Sequence, residues 1–372
     1  MANTSPVKST SRPPGWPRIL AATIAIVVLG WAGIGLDPTS LNLDGWRWVV
    51  EADAPKPRLV RVFAHDGEVG DVAWSPDGTK IAAGGQLHHA LFIWEASTGA
   101  LLRKFDREYG GISAVAWSPD GRYVAAGRSF VDVARGNIAI HVWSSETGQT
   151  LHSLRGPGPS GRGANNVSKR ALRFSPDSRL LAAGHSGAVS IHNLDSGQLV
   201  GVYRAHAATG KVVAFTADGK FIITSGERGQ RPLDLVDAST AIHAHSFKGD
   251  PESPFALAYR PGGTEIATAD FGRPIVTIWD AKGGRPNRVL SGHTRPVYAL
   301  AYSADGVLLA SASPGGGVIV WDGETGARLL TLPSSTELTS SIAFSPDGRY
   351  LAVPVSKQVR IWQLPTIRRP QD

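Results

Sequence analysis

Along most of this chain, apolar residues come in short runs rich in small side chains, broken at regular intervals by turn-forming residues. An aromatic residue followed by Ser-Pro-Asp-Gly, or a close variant, begins at Trp74, Trp117, Phe174, Phe215, Tyr259, Tyr302 and Phe344, at steps of 43, 57, 41, 44, 43 and 42 residues. Within that motif proline sets φ at the second turn position, aspartate tolerates the third, and glycine relieves the crowded exit, so each copy predicts a hairpin turn. Runs such as Val72 to Trp74 and Leu300 to Tyr302 precede the turn, and Lys80 to Ala83 and Leu308 to Ala310 follow it. Runs this short and apolar fit strands buried on both faces. A third run ends in Ile93-Trp94, Val142-Trp143, Ile278-Trp279, Val320-Trp321 or Ile361-Trp362. Turns containing Thr98-Gly99, Thr147-Gly148, Ser196-Gly197 and Thr325-Gly326 then lead to a fourth, outer run such as Leu101 to Phe105. A four-strand unit returning seven times, with a period in the low forties, predicts an all-β fold: a seven-bladed β-propeller of four-stranded antiparallel blades.

These residues resemble the WD-repeat family, whose repeats run from a Gly-His pair to a Trp-Asp pair. Gly292-His293 with Trp321-Asp322 is the closest match, and Trp279-Asp280 matches at the C-terminal half. The resemblance spans Arg58 to Leu364 and is specific for fold rather than function. Family members often join a His, a Ser or Thr, an Asp and the Trp by hydrogen bonds. No repeat here keeps the full set: His293, Ser311 and Trp321 lack the Asp, and Asp270 and Trp279 lack the His. Stability is therefore expected to rest mostly on packing between blades. After Trp362 only a proline-interrupted stretch remains, whereas Leu59 to Phe63 resembles the other outer strands. The strand 58–63 is expected to complete the seventh blade and remove an exposed edge.

Ahead of the repeats, Ile19 to Leu36 runs for 18 residues without a charge. As a helix it reaches about 27 Å, close to the roughly 30 Å of a bilayer core. Lys8, Arg12 and Arg18 precede it with no acidic residue among them, while Asp37, Asp44, Glu51 and Asp53 outnumber Arg47 after it. That asymmetry predicts a single-pass membrane protein with the propeller on the extracytoplasmic side. The alternative is a cleaved signal with its apolar core at Ile19 to Leu29, which leaves a secreted or periplasmic propeller. The expected organisation is a basic disordered tail (1–18), the transmembrane helix or signal (19–36), a linker (37–57), the propeller (58–366) and a short tail (367–372).

Composition adds limits. The 43 glycines and 25 prolines suit a turn-dense protein, and the absence of cysteine excludes disulfides and thiolate metal sites. A formal net charge of +7 suggests attraction to anionic surfaces. In the family arrangement the long insertions, Arg128 to Asn137, Gly156 to Arg170 and Gly226 to Pro232, fall on the face opposite the Ser-Pro-Asp-Gly turns. There Arg128, Arg135, Arg155, Arg162, Lys169, Arg170, Arg228 and Arg231 are expected to gather above the second to fourth blades, against Asp132 and Glu227. Asp77, Asp120, Asp177, Asp218, Asp305 and Asp347 recur on the other face. The molecule is thus expected to be electrically two-faced, its basic face binding an acidic protein surface or an anionic envelope polymer.

Catalytic fragments do not survive placement. Gly184-His-Ser-Gly187 lacks the final glycine of a nucleophile elbow and falls in a hairpin rather than a strand-to-helix turn. His243 and His245 share an outer strand but have no assigned third metal ligand, and His88-His89 is no stronger. Gly210-Lys211 lacks the upstream glycine of a phosphate loop. No metal or cofactor is expected, and no nucleic acid either, since export removes the access and the loops lack interleaved aromatics for base stacking. The function expected is a membrane-anchored or exported interaction scaffold, not an enzyme; the alternative is an enzyme or small-ligand binder using the central channel.

Overall fold

The computed structural model describes residues 56–85, 90–105, 111–129, 138–158, 166–204, 212–225, 233–247, 254–270, 272–315, 317–333 and 341–366. The expected membrane segment 19–36 lies outside these residues. Among those described there is no helix, and so none long and apolar enough to cross a membrane.

Twenty-eight strands among the described residues form seven four-stranded antiparallel sheets, the blades of a propeller, within the compact unit Ala54–Ile367. Blades 1 to 6 run in chain order from inner to outer strand, from Val69–Trp74 to Leu101–Phe105 in blade 1 and from Ala299–Tyr302 to Arg328–Leu332 in blade 6. Blade 7 consists of Ala343–Phe344, Tyr350–Val355 and Gln358–Gln363 and takes its outer strand, Arg58–Ala64, from before blade 1. Leu59 pairs with Trp362 and Arg61 with Ile361, with Val60 as a bulge between them. The inner strand of blade 7 lies against that of blade 1, so the ring closes. The closing strand expected from the sequence is the one found.

Thin sheets have no interior of their own, so the apolar core is divided. Buried side chains form seven clusters among the described residues, each shared by two neighbouring blades. Ile140 and Val142 of blade 2, for example, meet Leu172 and Leu181 of blade 3. Close approach explains the small residues at the ends of the second strands. A Cβ on Gly84 would lie 2.3 Å from Ile112, and one on Gly127 would lie 2.6 Å from Val167, each in the next blade.

Because strands alternate in direction within a blade, successive connections alternate between the two faces of the ring. One face carries the Ser-Pro-Asp-Gly turns, and their chemistry repeats. Ser75 Oγ donates to Asp77 at 2.5 Å and accepts the Lys80 N–H at 2.9 Å; Ser345 does the same with Asp347 and Tyr350. The aspartate also accepts the N–H two residues on, as Asp177 does from Arg179. Hydrogen bonds led by Ser175 and Thr216 hold Asp177 and Asp218 below the usual carboxylate range. The turns touch around the ring: Pro76 lies against Gly121, Pro176 against Gly219 and Pro346 against Gly78. In blade 3 Ser178 takes the glycine position at φ 62°, and its hydroxyl accepts the Asp120 N–H of blade 2 at 3.1 Å. The recurring aspartates thus build turns, and Asp120 is further paired with Arg122 at 2.6 Å. They form a hydrogen-bonded collar of carboxylates on the face where the sequence places the recurring aspartates.

Candidate functional site at the channel mouth

Inside the blades, polar side chains act as locks between strands. In blade 6 the Trp321 indole N–H donates to Ser311 Oγ at 2.8 Å, and that hydroxyl meets His293 Nε2 at 2.6 Å. In blade 5 the Trp279 indole donates to Thr268 Oγ1 at 2.8 Å. Asp322 and Asp280 turn outward to cap the next hairpin, accepting the N–H groups of Thr325 and Gly283. In blade 3 the lock is transposed. Ala183 stands where a hydroxyl would be expected, and its cross-strand partner Ser190 supplies one instead. His192 fills the tryptophan position. Ser190 Oγ lies 2.8 Å from His185 Nε2 and 3.1 Å from His192 Nε2. The hydroxyl can donate to one imidazole while accepting from the other. Burial, with His185 beside it, lowers His192 to about 4. The nucleophile-like Gly184 to Gly187 sequence is the hairpin that joins the two strands carrying these histidines.

The inner strands begin on the face opposite the turn collar, and there residues from six blades meet. Asp71 of blade 1 is 3% exposed. It accepts from Ser341 Oγ of blade 7 at 2.5 Å and from the Val115 N–H of blade 2 at 2.8 Å. Burial raises its carboxyl pKa, opposed by Ser341 and by Arg173 of blade 3. Arg173 donates to the Leu172 carbonyl at 2.8 Å and is pushed down by burial, Asp71 opposing.

Three residues earlier, the guanidinium of Arg170 lies over the Phe255 ring of blade 5, 5.3 Å from its centroid, and Phe255 packs on Tyr298 of blade 6 with centroids 4.9 Å apart. Burial lowers Arg170 to about 10. Blades 3 and 5, like blades 1 and 3, are not ring neighbours, so the contact of Arg170 with Phe255 and the pairing of Asp71 with Arg173 cross the axis, and the cluster lines the central channel. Lys169 reaches solvent beside it, with its pKa lowered by partial burial and then by Arg170, Glu68 opposing.

The local cause is the inner strand of blade 3. At eight residues, Val167–Phe174 is the longest inner strand among the described residues. It pairs Val167 with His185 and then Leu172 with Ala183, so the chain between them bulges. Arg170 sits in the bulge at φ 60°, a conformation that L side chains rarely adopt.

The eight basic residues expected to share one face are divided. Lys169 and Arg170 lie at the mouth, and Arg155 is exposed at the end of the outer strand of blade 2. Arg128 is a correction: it is 7% exposed and donates to the Ile138 carbonyl at 3.2 Å within blade 2. Its strand packs between neighbouring blades, which draws the guanidinium into the wall instead of leaving it to solvent. Arg135, Arg162, Arg228 and Arg231 lie outside the described residues. Asp71, Arg173, Phe255 and Tyr298 escaped the sequence reading because each looks like an ordinary inner-strand residue until the ring brings their blades together. His243 and His245 have different neighbours: His243 meets Ser246 Oγ at 2.8 Å, beside buried Asp234, while His245 packs near Phe247. No group of three or more metal-ligating side chains that could hold a metal ion occurs among the described residues.

Ring, locks and collar together define a seven-bladed β-propeller, and parts of its chain match WD40 repeats. Four stretches of the chain, residues 57–95, 99–132, 284–322 and 326–363, match the family model described as WD domain, G-beta repeat. Among curated proteins the chain is similar to WD repeat-containing protein SL1-17 of Schistosoma mansoni, 29% identical over 46% of this chain and 52% of that protein. It is similar to Periodic tryptophan protein 2 of Arabidopsis thaliana, 26% identical over 51% of this chain and 21% of that protein. It also resembles COMPASS component SWD3 of Saccharomyces cerevisiae, 25% identical over 53% of this chain and 65% of that protein. The chain thus spans about half the length of the first of these relatives and about a fifth of the second.

Proposed function

We propose that this chain is an interaction scaffold without catalytic activity of its own, tethered to a membrane through the apolar segment 19–36, with its propeller on the extracytoplasmic side. Its ligand is an acidic protein surface, held on the face that carries the long insertions. The observation that carries the reading is the gathering of Lys169, Arg170 and Arg173 at the channel mouth on that face, while the aspartates of the other face are engaged in their own turns. Cations on one side steer an acidic partner to that side and fix its orientation. The assembly role is supported by relatives such as the one named as a COMPASS component. The charge asymmetry around residues 19–36 supports the tether and its orientation.

Crosslinking in intact cells, followed by membrane fractionation with and without a salt wash, tests both parts. The protein is expected to stay with membranes after the wash and to carry a crosslinked partner. Reversing Arg155, Arg162 and Arg228 together to Glu is expected to abolish that partner's capture. Undiminished capture would overturn the face assignment, and release by salt would overturn the tether.

A further inference from the structure

We propose that the cleft between blades 7 and 1, on the turn-collar face, is an arginine site: it takes the guanidinium of a partner's peptide segment where this chain's own arginines fill the matching clefts. It is a second contact, on the face opposite the one proposed above, and stands independently of it. Register is the first argument. Arg103 lies opposite Ile93, Arg288 opposite Ile278 and Arg61 opposite Ile361, and each isoleucine precedes the tryptophan that ends a third strand. In two of these seams the arginine crosses to the next blade. Arg103 donates to the Glu146 carbonyl at 2.5 Å, and Arg288 donates to the Gly323 carbonyl at 3.2 Å. Between blades 5 and 6 a second guanidinium joins it, Arg260 donating to the Gly306 carbonyl at 3.0 Å, and the Glu265 carboxylate holds both. At the closing seam Tyr350 stands in the place of Glu265, and Ser345 in that of Arg260. Arg61 has no such carboxylate to draw it inward and is exposed, and the seam keeps a cavity of about 580 Å³.

The chemistry of the cavity wall is the second argument. Ala96 and Ser97 line it. Counted back from the Thr98-Gly99 pair, they occupy the places of Gly323 and Glu146, whose carbonyls take Arg288 and Arg103. Gly78 also lines it, in the place of Gly306. The backbone positions that accept a guanidinium in the other seams are thus repeated here. Two carboxylates, Asp77 and Asp347, and two aromatic rings, Trp74 and Tyr350, add to the wall. The ring centroids lie 6.4 Å apart, with the planes 29° from parallel. The Trp74 indole N–H is engaged by the Ala343 carbonyl at 3.2 Å, which leaves its π surface rather than a donor. Carbonyls, carboxylates and ring faces all attract a cation, and the planar fork of arginine suits such a set better than the point charge of lysine. Arg58 and Arg61 stand at the same cavity, but both are exposed, where water and salt screen them. The volume lies within the range of clefts that bind small ligands, ample for one arginine side chain.

The test is fluorescence anisotropy on the full-length protein. The probe is a fluorescein-labelled peptide of Gly and Ser with a single central Arg and an amidated C-terminus. The controls carry citrulline, the uncharged isostere of arginine, or lysine at the same place. The arginine peptide is expected to bind saturably, the lysine peptide more weakly and the citrulline peptide not at all. Asp347→Asn removes a charge from the wall but keeps an oxygen for Ser345 and for the Arg349 N–H. It is expected to weaken binding roughly tenfold with a thermal midpoint close to that of the parent. Arg61→Ala, at an exposed position, is expected to tighten binding, because it takes a like charge away from the cavity. Weaker binding of the arginine peptide in Arg61→Ala would overturn the site and assign the cleft to anions. So would the absence of saturable binding, or equal binding of the arginine and citrulline peptides. If Asp347→Asn folds poorly, Tyr350→Leu, expected to weaken binding several-fold by removing a ring, takes its place beside Arg61→Ala. Unchanged binding in every variant would overturn the location. The insertion face fails separately: undiminished cellular capture in the triple reversal would remove that face and leave the arginine site standing.

Discussion

The turn collar and the channel mouth sit at opposite faces of the same ring and are built on opposite principles. In the collar nearly every polar group has a local partner: serine to aspartate, aspartate to the backbone, proline against the neighbouring glycine. At the mouth an arginine is held in an unfavourable backbone conformation, and the buried carboxylate of Asp71 lies near the partly buried guanidinium groups of Arg170 and Arg173. The collar therefore contributes rigidity, and the mouth gathers charged groups from several blades. One fold supports both because the seven interblade clusters stabilise the ring independently of either face.

The strongest way to break this comparison is to open the ring. Deleting Arg58–Ala64 removes the outer strand of blade 7 and exposes Phe63's partners in the seam between blades 7 and 1. Thermal unfolding followed by circular dichroism is expected to show a midpoint lower by 10 °C or more, on the order of several kcal/mol. An unchanged midpoint would mean that the closing strand is dispensable.

Acid comes next. Burial is the leading cause that lowers His141, His192 and His293 to about 4 from an ordinary value near 6.5. A depressed folded pKa means that the folded state favours the neutral imidazole, so the contribution is complete above about pH 6.5 and is lost as pH falls toward 4. Denaturant midpoints at pH 7, 5.5 and 4.5 are expected to fall in that order, by a few kcal/mol in all. Double replacement of His185 and His192 by Asn is expected to flatten the slope.

Within the collar, Ser345→Ala strips Asp347 of a donor and leaves the Tyr350 N–H without its acceptor. The expected loss is about 1–3 kcal/mol, read as a midpoint a few degrees lower, in contrast to Arg170→Gly at the mouth, which is expected to lose none. The smallest effect is expected at Ser178→Gly. Relief of φ 62° in a residue other than glycine offsets the loss of the hydroxyl that accepts the Asp120 N–H, so stability is expected to change by less than about 1 kcal/mol. A large change in either direction would show that the contact between the blade 2 and blade 3 turns, or the backbone conformation alone, governs the collar there.

Much of the architecture could be read from local signals. Seven turn motifs, the tryptophans ending the third strands and the displaced strand 58–63 all follow from residues close together in sequence, whose turn chemistry and periodicity act over a few positions. The lock of His293, Ser311 and Trp321 was legible for the same reason, since it lies within one repeat. The lock of blade 3 was not, because its hydroxyl moved across a strand pair to Ser190, which no motif marks.

Sequence alone therefore determined the number of blades, the way the ring closes and the turns that cap it, because each depends on short-range propensity repeated seven times. Only the tertiary structure decided that Arg128 is wall and Arg170 is mouth, and that Asp71, Arg173, Phe255 and Tyr298 belong to one site. Those residues lie up to hundreds of positions apart on different blades, and what unites them is the closure of the ring around its axis, a long-range condition that no local pattern records.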